Sequence, residues 1–125
     1  VCDSREILDT IRRHKPAFMY RLDAPVYFFK PFKCLGVPHM DDLFFLFGNF
    51  DKILTQPERD LGKRMRTHWV SFATTHNPGA RWPAYGASRS ALVFNTPQDS
   101  TVHQFKTPQC EAIAAARGND HHHIP

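Results

Sequence analysis

Hydrophobic positions along the chain fall into short helical or strand patterns that turn residues separate. Apolar residues recur at helical spacing through 7–11, after an Asp3-x-x-Glu6 pair with the form of a capping box. This pattern predicts a short first helix, which Pro16 ends. The aromatic and aliphatic stretch 18–22 then predicts a strand. A helix followed by a strand indicates an α/β architecture.

Two further helices have well-marked boundaries. The run 41–47 starts with two acids and continues with aromatic and aliphatic residues, which predicts a short apolar helix that Gly48 ends. Residues 55–58 combine a capping box with a proline in the first turn, so they predict the start of the longest helix. Its apolar spacing continues until Asn-Pro-Gly at 77–79.

The other segments are an irregular loop, a strand and a last helix. Pro and Gly among aromatic residues predict a partly buried loop through 26–38, and Ala-Leu-Val-Phe at 91–94 predicts a strand. An alanine-rich helix is predicted at 108–117. We therefore expect one structural unit over 1–117 and a flexible tail over 118–125.

Composition and charge exclude several classes of function. The 125 residues, of which 42% are hydrophobic and 22% charged, suit one globular domain. No apolar run approaches the roughly 20 residues of a membrane helix, and the first residues do not form a signal peptide. The net charge of +4 comes from basic residues interspersed with acids, without a nucleic-acid motif. We predict neither a membrane span nor nucleic-acid binding.

Most of the eight histidines have ordinary explanations. His14 and His76 follow predicted helix ends, where imidazoles commonly face solvent or helix carbonyls, and His68 lies at the edge of the long helix. The cluster 121–123 belongs to the expected tail, and the three cysteines have no C-x-x-C spacing. We predict no metal site and no cofactor.

His39 differs from the other histidines because it lies on a constrained loop. Gly36-Val37-Pro38 precedes it, and Asp41 and Asp42 follow in the first turn of the apolar helix. A general base needs a fixed tautomer and a partly desolvated site, which such a loop supplies. Composition alone favours an inert loop histidine over a catalytic one.

Three motifs in the same order resemble the type-B carboxylesterase and cholinesterase family. The segment 36–48, Gly-Val-Pro-His-Met-Asp-Asp-Leu-Phe-Phe-Leu-Phe-Gly, is similar to the segment that carries the family's catalytic histidine. The stretch 68–78 is similar to the end of its long helix, W-x-x-F-A-x-x-x-N-P, and 82–85 to the following W-P-x-Y. The resemblance spans the chain from Cys2 to about Cys110 and implies an α/β-hydrolase fold.

The resemblance also implies roles for particular residues. His39 would be the base that activates a serine, and Asp42 would stand where the family carries a supporting glutamate. Cys2 and Cys110 match a family disulfide, which would close a loop of roughly 109 residues and stabilise the fold by about 4–5 kcal/mol. Cys34 would then be unpaired; the alternative is that it acts as a nucleophile beside His39.

The motif that would carry the nucleophilic serine is absent from this sequence. There is no G-x-S-x-G elbow and no glycine-rich oxyanion loop, and Gly-Ala-Ser-Arg-Ser at 86–90 predicts a turn. The family's triad acid also lies upstream of its histidine segment. The chain thus resembles the C-terminal quarter of a hydrolase, and we expect a separate or missing N-terminal portion as its partner.

These observations favour hydrolysis of carboxylic esters by serine acyl transfer, of the broad carboxylesterase or lipase type. The alternatives are a non-catalytic adhesion or scaffold domain of cholinesterase type and a small independent binding module. Phe28, Phe29, Phe32 and Met40 are candidates to line an apolar ester pocket. Asp41 disfavours a choline ester, because choline-binding members usually carry an aromatic residue there. A disulfide would favour secretion.

Overall fold

A computed structural model describes residues 1–26 and 36–120 of the chain. Within these ranges the fold consists of helices and a small sheet, as predicted for a mixed α/β protein. The helices are α1 (Cys2–Ile11), α2 (Asp41–Leu46), α3 (Gln56–Thr75) and α4 (Thr107–Asp120). The strands are β1 (Tyr20–Leu22), β2 (Ala91–Phe94) and β3 (Ser100–Val102).

The sheet has the order β1-β2-β3. β1 runs parallel to β2, with Tyr20 opposite Leu92, and β3 runs antiparallel to β2, with Val102 opposite Ala91. All of β2 is buried, which fits an apolar central strand. β3 was not predicted, because its three residues have no apolar alternation and depend on pairing with β2.

The core lies where α2 and α3 pack against β1 and β2. Phe45 of α2, Leu61 and Met65 of α3, and Phe94 of β2 are fully buried there. Gly62 allows the two helices to approach, since a Cβ at this position would lie 3.0 Å from the carbonyl oxygen of Phe45. The helix predicted from 41–47 is therefore a core element, not a surface one.

Both ends of α3 follow the local sequence signals. The hydroxyl and backbone N–H of Thr55 both donate to Glu58 Oε2, at 2.6 and 2.7 Å, and the reciprocal half of the capping box is also present. At the other end His76 adopts a left-handed conformation with φ 59°. The prediction of the longest helix is confirmed.

Three boundary predictions need correction. The Asp3-x-x-Glu6 capping box does not form: α1 already begins at Cys2 with Val1 as its N-cap, so Asp3 lies inside the first turn. β1 is shorter than the predicted 18–22, because Phe18 makes only an isolated bridge to Ala84. α4 is longer than 108–117 and takes in residues 118–120 of the expected tail.

Several large apolar side chains remain exposed along one side of α1 and α3. Ile7 and Ile11 of α1 and Trp69 and Phe72 of α3 are each between 42% and 59% exposed. Between the two helices lies an apolar groove of about 290 Å³, called the α1/α3 groove below. Among the described helices, none is long and apolar enough to cross a membrane.

Candidate functional site

The predicted base His39 lies on a turn, residues 36–40, that leads directly into α2. Val37 and Pro38 are half-buried and fix the approach of the chain, whereas the His39 side chain is exposed. This segment, the His39 turn, forms one side of a cavity of about 450 Å³ whose other side is β1. The imidazole can therefore reach a reactant that enters from outside the chain.

Met40, the last residue of the His39 turn, has an unusual backbone conformation. Its φ of 74° and ψ of 5° place it in the left-handed region, where it forms the N-cap of α2. A residue with a Cβ pays a steric cost there, and such residues often lie at functional sites. The side chain is 55% exposed. The conformation makes the chain reverse direction immediately after His39.

Asp41, the first residue of α2, is buried on the inner side of the same cavity. Only 2% of it is exposed, and its Oδ2 accepts a long hydrogen bond, 3.4 Å, from the backbone N–H of Val26. Burial raises the pKa of this carboxyl, and the negative charge of Asp42 adds to the effect, while the bond from Val26 opposes it. This bond thus links the start of α2 to Val26, four residues after the end of β1.

Asp42, the predicted supporting carboxylate, is held by a residue that the sequence reasoning missed. The phenol of Tyr20 donates a hydrogen bond of 2.6 Å to Asp42 Oδ2. Burial raises the pKa of Tyr20 far above its ordinary value, and the bond to Asp42 and its charge raise it further. The phenol therefore stays protonated and acts as a donor. The pattern placed Tyr20 in a strand but gave no signal of a partner 22 positions away.

Three further histidines, His14, His68 and His76, occupy the ordinary positions that were predicted for them. His14 lies in the turn after α1, and His76 is the exposed C-cap of α3. His68 Nδ1 is 2.6 Å from the carbonyl oxygen of Pro78, which ties α3 to the loop after it. In residues 1–26 and 36–120 no group of three or more His, Cys, Asp or Glu side chains has a metal-binding arrangement.

Some predicted residues cannot be placed. The following lie outside the described residues: Phe28, Phe29, Phe32, Cys34 and the cluster 121–123.

A second region of the structure contains the predicted disulfide and several other bonds between distant segments. Cys2 and Cys110 are joined, with their Cα atoms 5.3 Å apart. Arg89 lies 3.1 Å from Asp9 of α1 and 3.8 Å from Glu111 of α4, so it connects both helices. We call this region, formed by α1, the turn 86–90, residues 103–106 and α4, the disulfide corner.

The disulfide corner also contains a serine–histidine contact. Ser90 Oγ lies 2.9 Å from His103 Nδ1 and 2.7 Å from Ser88 Oγ. Ser90 is only 3% exposed, and it ends the turn 86–90, which forms as predicted in place of a nucleophile elbow. The contact therefore has the features of a structural hydrogen bond.

Curated proteins of similar sequence include two hydrolases. The chain is 31% identical over 114 residues to acetylcholinesterase of Bungarus fasciatus, which covers 82% of the chain and 18% of that relative. It is 31% identical over 99 residues to acylcarnitine hydrolase of Rattus norvegicus, which covers 68% of the chain and 17% of that relative. The chain thus spans less than a fifth of the length of these curated relatives.

Solved structures match at the level of the fold. A thermophilic PNB esterase superposes with a TM-score of 0.61 at 24% identity, over 77% of this chain and 21% of that one. A second PNB esterase structure gives a TM-score of 0.64 at 22% identity, over 80% of this chain and 22% of that one. The sequence profile of the Carboxylesterase family matches residues 1–113. The chain therefore belongs to the carboxylesterase family.

Proposed function

We propose that this chain supplies the general base His39 to a serine hydrolase that cleaves carboxylic esters, of the broad carboxylesterase or lipase type. The serine, the triad acid and the oxyanion donors belong to an N-terminal portion of the same hydrolase, either a separate chain or a segment that adjoins this one. Residues 1–117 form the C-terminal part of the α/β-hydrolase domain. The reaction requires no cofactor.

The chemistry assigned to His39 is proton transfer in two steps. The imidazole accepts the proton of the serine hydroxyl as the serine oxygen attacks the ester carbonyl, and it returns this proton to the departing alcohol. In the second step it accepts a proton from water, which attacks the acyl-enzyme, and returns it to the serine as the acid leaves. Asp42 holds the turn that presents the imidazole.

The observation that carries this proposal is the exposed position of His39 in a cavity that two carboxylates also line. A base that acts on a serine from another portion must project outward from its own chain, and His39 does so. The other serine–histidine arrangement of the described chain, Ser90 with His103, is almost closed to solvent on its serine side. It leaves an ester no access to the hydroxyl.

The exposed apolar surface supports the existence of a companion portion. Parallel strands normally have helices or other layers on both faces, yet Ile11, Trp69 and Phe72, which line the α1/α3 groove, are substantially exposed. Contiguous apolar surface of this kind marks a contact site in soluble proteins. We assign the groove to the remainder of the hydrolase.

The substrate is an ester without a quaternary ammonium group. Asp41 takes the place where a cation-binding aromatic residue would stand, and it is buried, so it does not itself present a charge to the solvent. Met40 is exposed beside His39 and is available to contact the acyl or alcohol group. Phe28 and Phe29 are proposed to complete the apolar pocket. The disulfide favours secretion or another oxidising compartment.

The experiment that tests the proposal compares two histidine variants in the hydrolase assembled with its companion portion. His39→Ala is expected to lower kcat for a p-nitrophenyl ester at least about a thousandfold, because the serine loses its base. The matched control, His103→Ala, removes the other serine-bonded imidazole and should change kcat less than about threefold. Full activity of His39→Ala, or loss of activity only in His103→Ala, contradicts the proposal.

Asp42→Ala tests the supporting role separately. Misplacing the His39 turn should lower kcat by about ten- to a hundredfold while KM changes little, because substrate binding does not depend on this carboxylate. Steady-state kinetics with the same ester measure both constants. A change confined to KM would contradict a role in holding the base.

A further inference from the structure

Tyr20 lies between the aromatic core of the sheet and the cavity of the His39 turn. Its ring makes edge-on contacts with Trp69, Trp82 and Phe94, with ring centroids 6.0, 5.7 and 5.8 Å away. Three rings at steep angles leave the phenol ring little freedom to rotate. The direction of its hydroxyl is therefore set by the core.

The hydroxyl of Tyr20 makes one hydrogen bond in the described chain, the 2.6 Å bond to Asp42 Oδ2. Hydrogen bonds to an ionised carboxylate are short and about twice as strong as bonds between neutral groups. The bond joins the first residue of β1 to the first turn of α2, two elements that are far apart in sequence. It also uses one oxygen of the carboxylate that stands three positions after His39.

The first turn of α2 determines where His39 is placed. Met40, in its left-handed conformation, is the one residue between His39 and α2, so the backbone position of His39 follows that of the first turn. The charged and titratable groups around the cavity are Tyr20, Arg21, His39, Asp41 and Asp42. Of these, Arg21 is paired with Asp23 and Asp41 with the backbone of Val26. The bond between Tyr20 and Asp42 therefore ties β1, on one side of the cavity, to the first turn of α2 on the other.

We infer that Tyr20 is a positioning residue for ester hydrolysis, which holds Asp42 through its phenol hydrogen bond and thereby sets the orientation and the electrostatic surroundings of His39. The inference rests on the proposed function of His39. A purely structural role, in which Tyr20 only fills the core, depends on the ring and not on the hydroxyl. The two roles therefore differ in what happens when the oxygen alone is removed.

Tyr20→Phe removes the oxygen and keeps the ring. In the hydrolase assembled with its companion portion, kcat should fall about tenfold with KM changed less than about twofold. Without this donor, the carboxylate of Asp42 should stabilise the protonated imidazole of His39, which lines the same cavity, more strongly. The ascending limb of the kcat/KM profile should therefore move to higher pH by about half a unit. Thermal unfolding of each variant shows that the fold is retained.

The matched control is Tyr85→Phe. Tyr85 is fully buried, and its hydroxyl has no hydrogen-bond partner among the described residues, so its removal should leave kcat and the pH profile unchanged. A double-variant cycle isolates the coupling: in an Asp42→Ala background, which has no acceptor for the phenol, Tyr20→Phe should cause no further loss of kcat. If Tyr20→Phe does not fold, 3-fluorotyrosine at position 20 retains ring and hydroxyl as a stronger donor and should move the ascending limb to lower pH.

The outcomes separate the inference from the function on which it rests. An unchanged pH profile in Tyr20→Phe or in the fluorinated protein, or equal losses of kcat with and without Asp42, overturns the role of Tyr20. If His39→Ala has already lost its activity, the proposed function survives that result. Full activity of His39→Ala would instead remove the function itself, whatever Tyr20→Phe does.

Discussion

The disulfide corner and the His39 turn differ in how densely they are bonded. In the corner, Cys2 is joined to Cys110, Arg89 connects α1 and α4, and Ser90 is hydrogen-bonded to His103. At the His39 turn the imidazole is exposed and its neighbour Met40 has a strained backbone. The corner contains the more complete set of contacts, yet it has the features of a structural element. The proposed function accounts for the few contacts of the turn, since it assigns the groups on which the base acts to another portion of the hydrolase.

Among the variants that test this contrast, loss of the disulfide is expected to change stability the most. Replacing Cys2 and Cys110 by serine should lower the free energy of unfolding by about 4–5 kcal/mol, because the unfolded chain gains the entropy of an open loop. Denaturant unfolding of the oxidised protein and the double variant measures this difference. Free thiols at both positions in native protein, found by non-reducing peptide mapping, would contradict the pairing.

A smaller effect is expected from removal of the serine hydroxyl in the corner. Ser90→Ala should cost about 1–2 kcal/mol of stability, because its hydrogen bonds to Ser88 and His103 are lost in a buried site. The rate of ester hydrolysis should not change. Loss of turnover in a variant that remains folded would reverse the contrast and make Ser90 the nucleophile.

Relief of the backbone strain at Met40 should increase the stability of the fold, whereas the two changes above lower it. Met40→Gly should raise the free energy of unfolding by about 1 kcal/mol, since glycine adopts the left-handed conformation without a steric cost. Thermal unfolding compared with Met40→Ala, which keeps a Cβ, isolates this contribution. A lower stability of the glycine variant would mean that contacts of the Met40 side chain, not the backbone, determine the turn.

The buried carboxyl of Asp41 predicts the smallest change, one that depends on pH. Because its pKa is raised in the folded protein, the folded state holds this proton to higher pH than the unfolded state does. Its contribution favours the fold at low pH and is lost as the pH rises through the folded pKa. Asp41→Asn should therefore be more stable than the parent at pH 7, with a difference that shrinks toward pH 4. An equal difference at both pH values would contradict this.

Local signals in the sequence predicted much of the fold. The capping box of Thr55 and Glu58 forms because both partners lie within one helical turn. The similar pair Asp3 and Glu6 fails, since α1 starts two residues earlier, at Cys2, which the disulfide ties to α4. β3 has no pattern of its own, and its pairing with β2 decides its structure. Contacts between residues close in sequence can be predicted, whereas contacts between distant segments cannot.

In the candidate site, too, residues close in sequence were easier to predict than contacts between distant segments. His39, Asp41 and Asp42 are close neighbours along the chain, and in the structure all three line one cavity. The bond from Tyr20 to Asp42 was not predictable, because it joins a strand to a helix across a loop. The contact of Ser90 with His103 was missed for the same reason, as it depends on the pairing of β2 with β3.

The most direct test of the central claim labels the native material with a fluorophosphonate and locates the modified residue by mass spectrometry. We expect the label on a serine of a companion portion that co-purifies with, or is continuous with, this 14.4 kDa segment. The labelling rate should fall steeply in His39→Ala and stay unchanged in His103→Ala. A label on Ser90, or an isolated 14.4 kDa chain that takes no label, would contradict the assignment of His39 as the base for a serine on another portion.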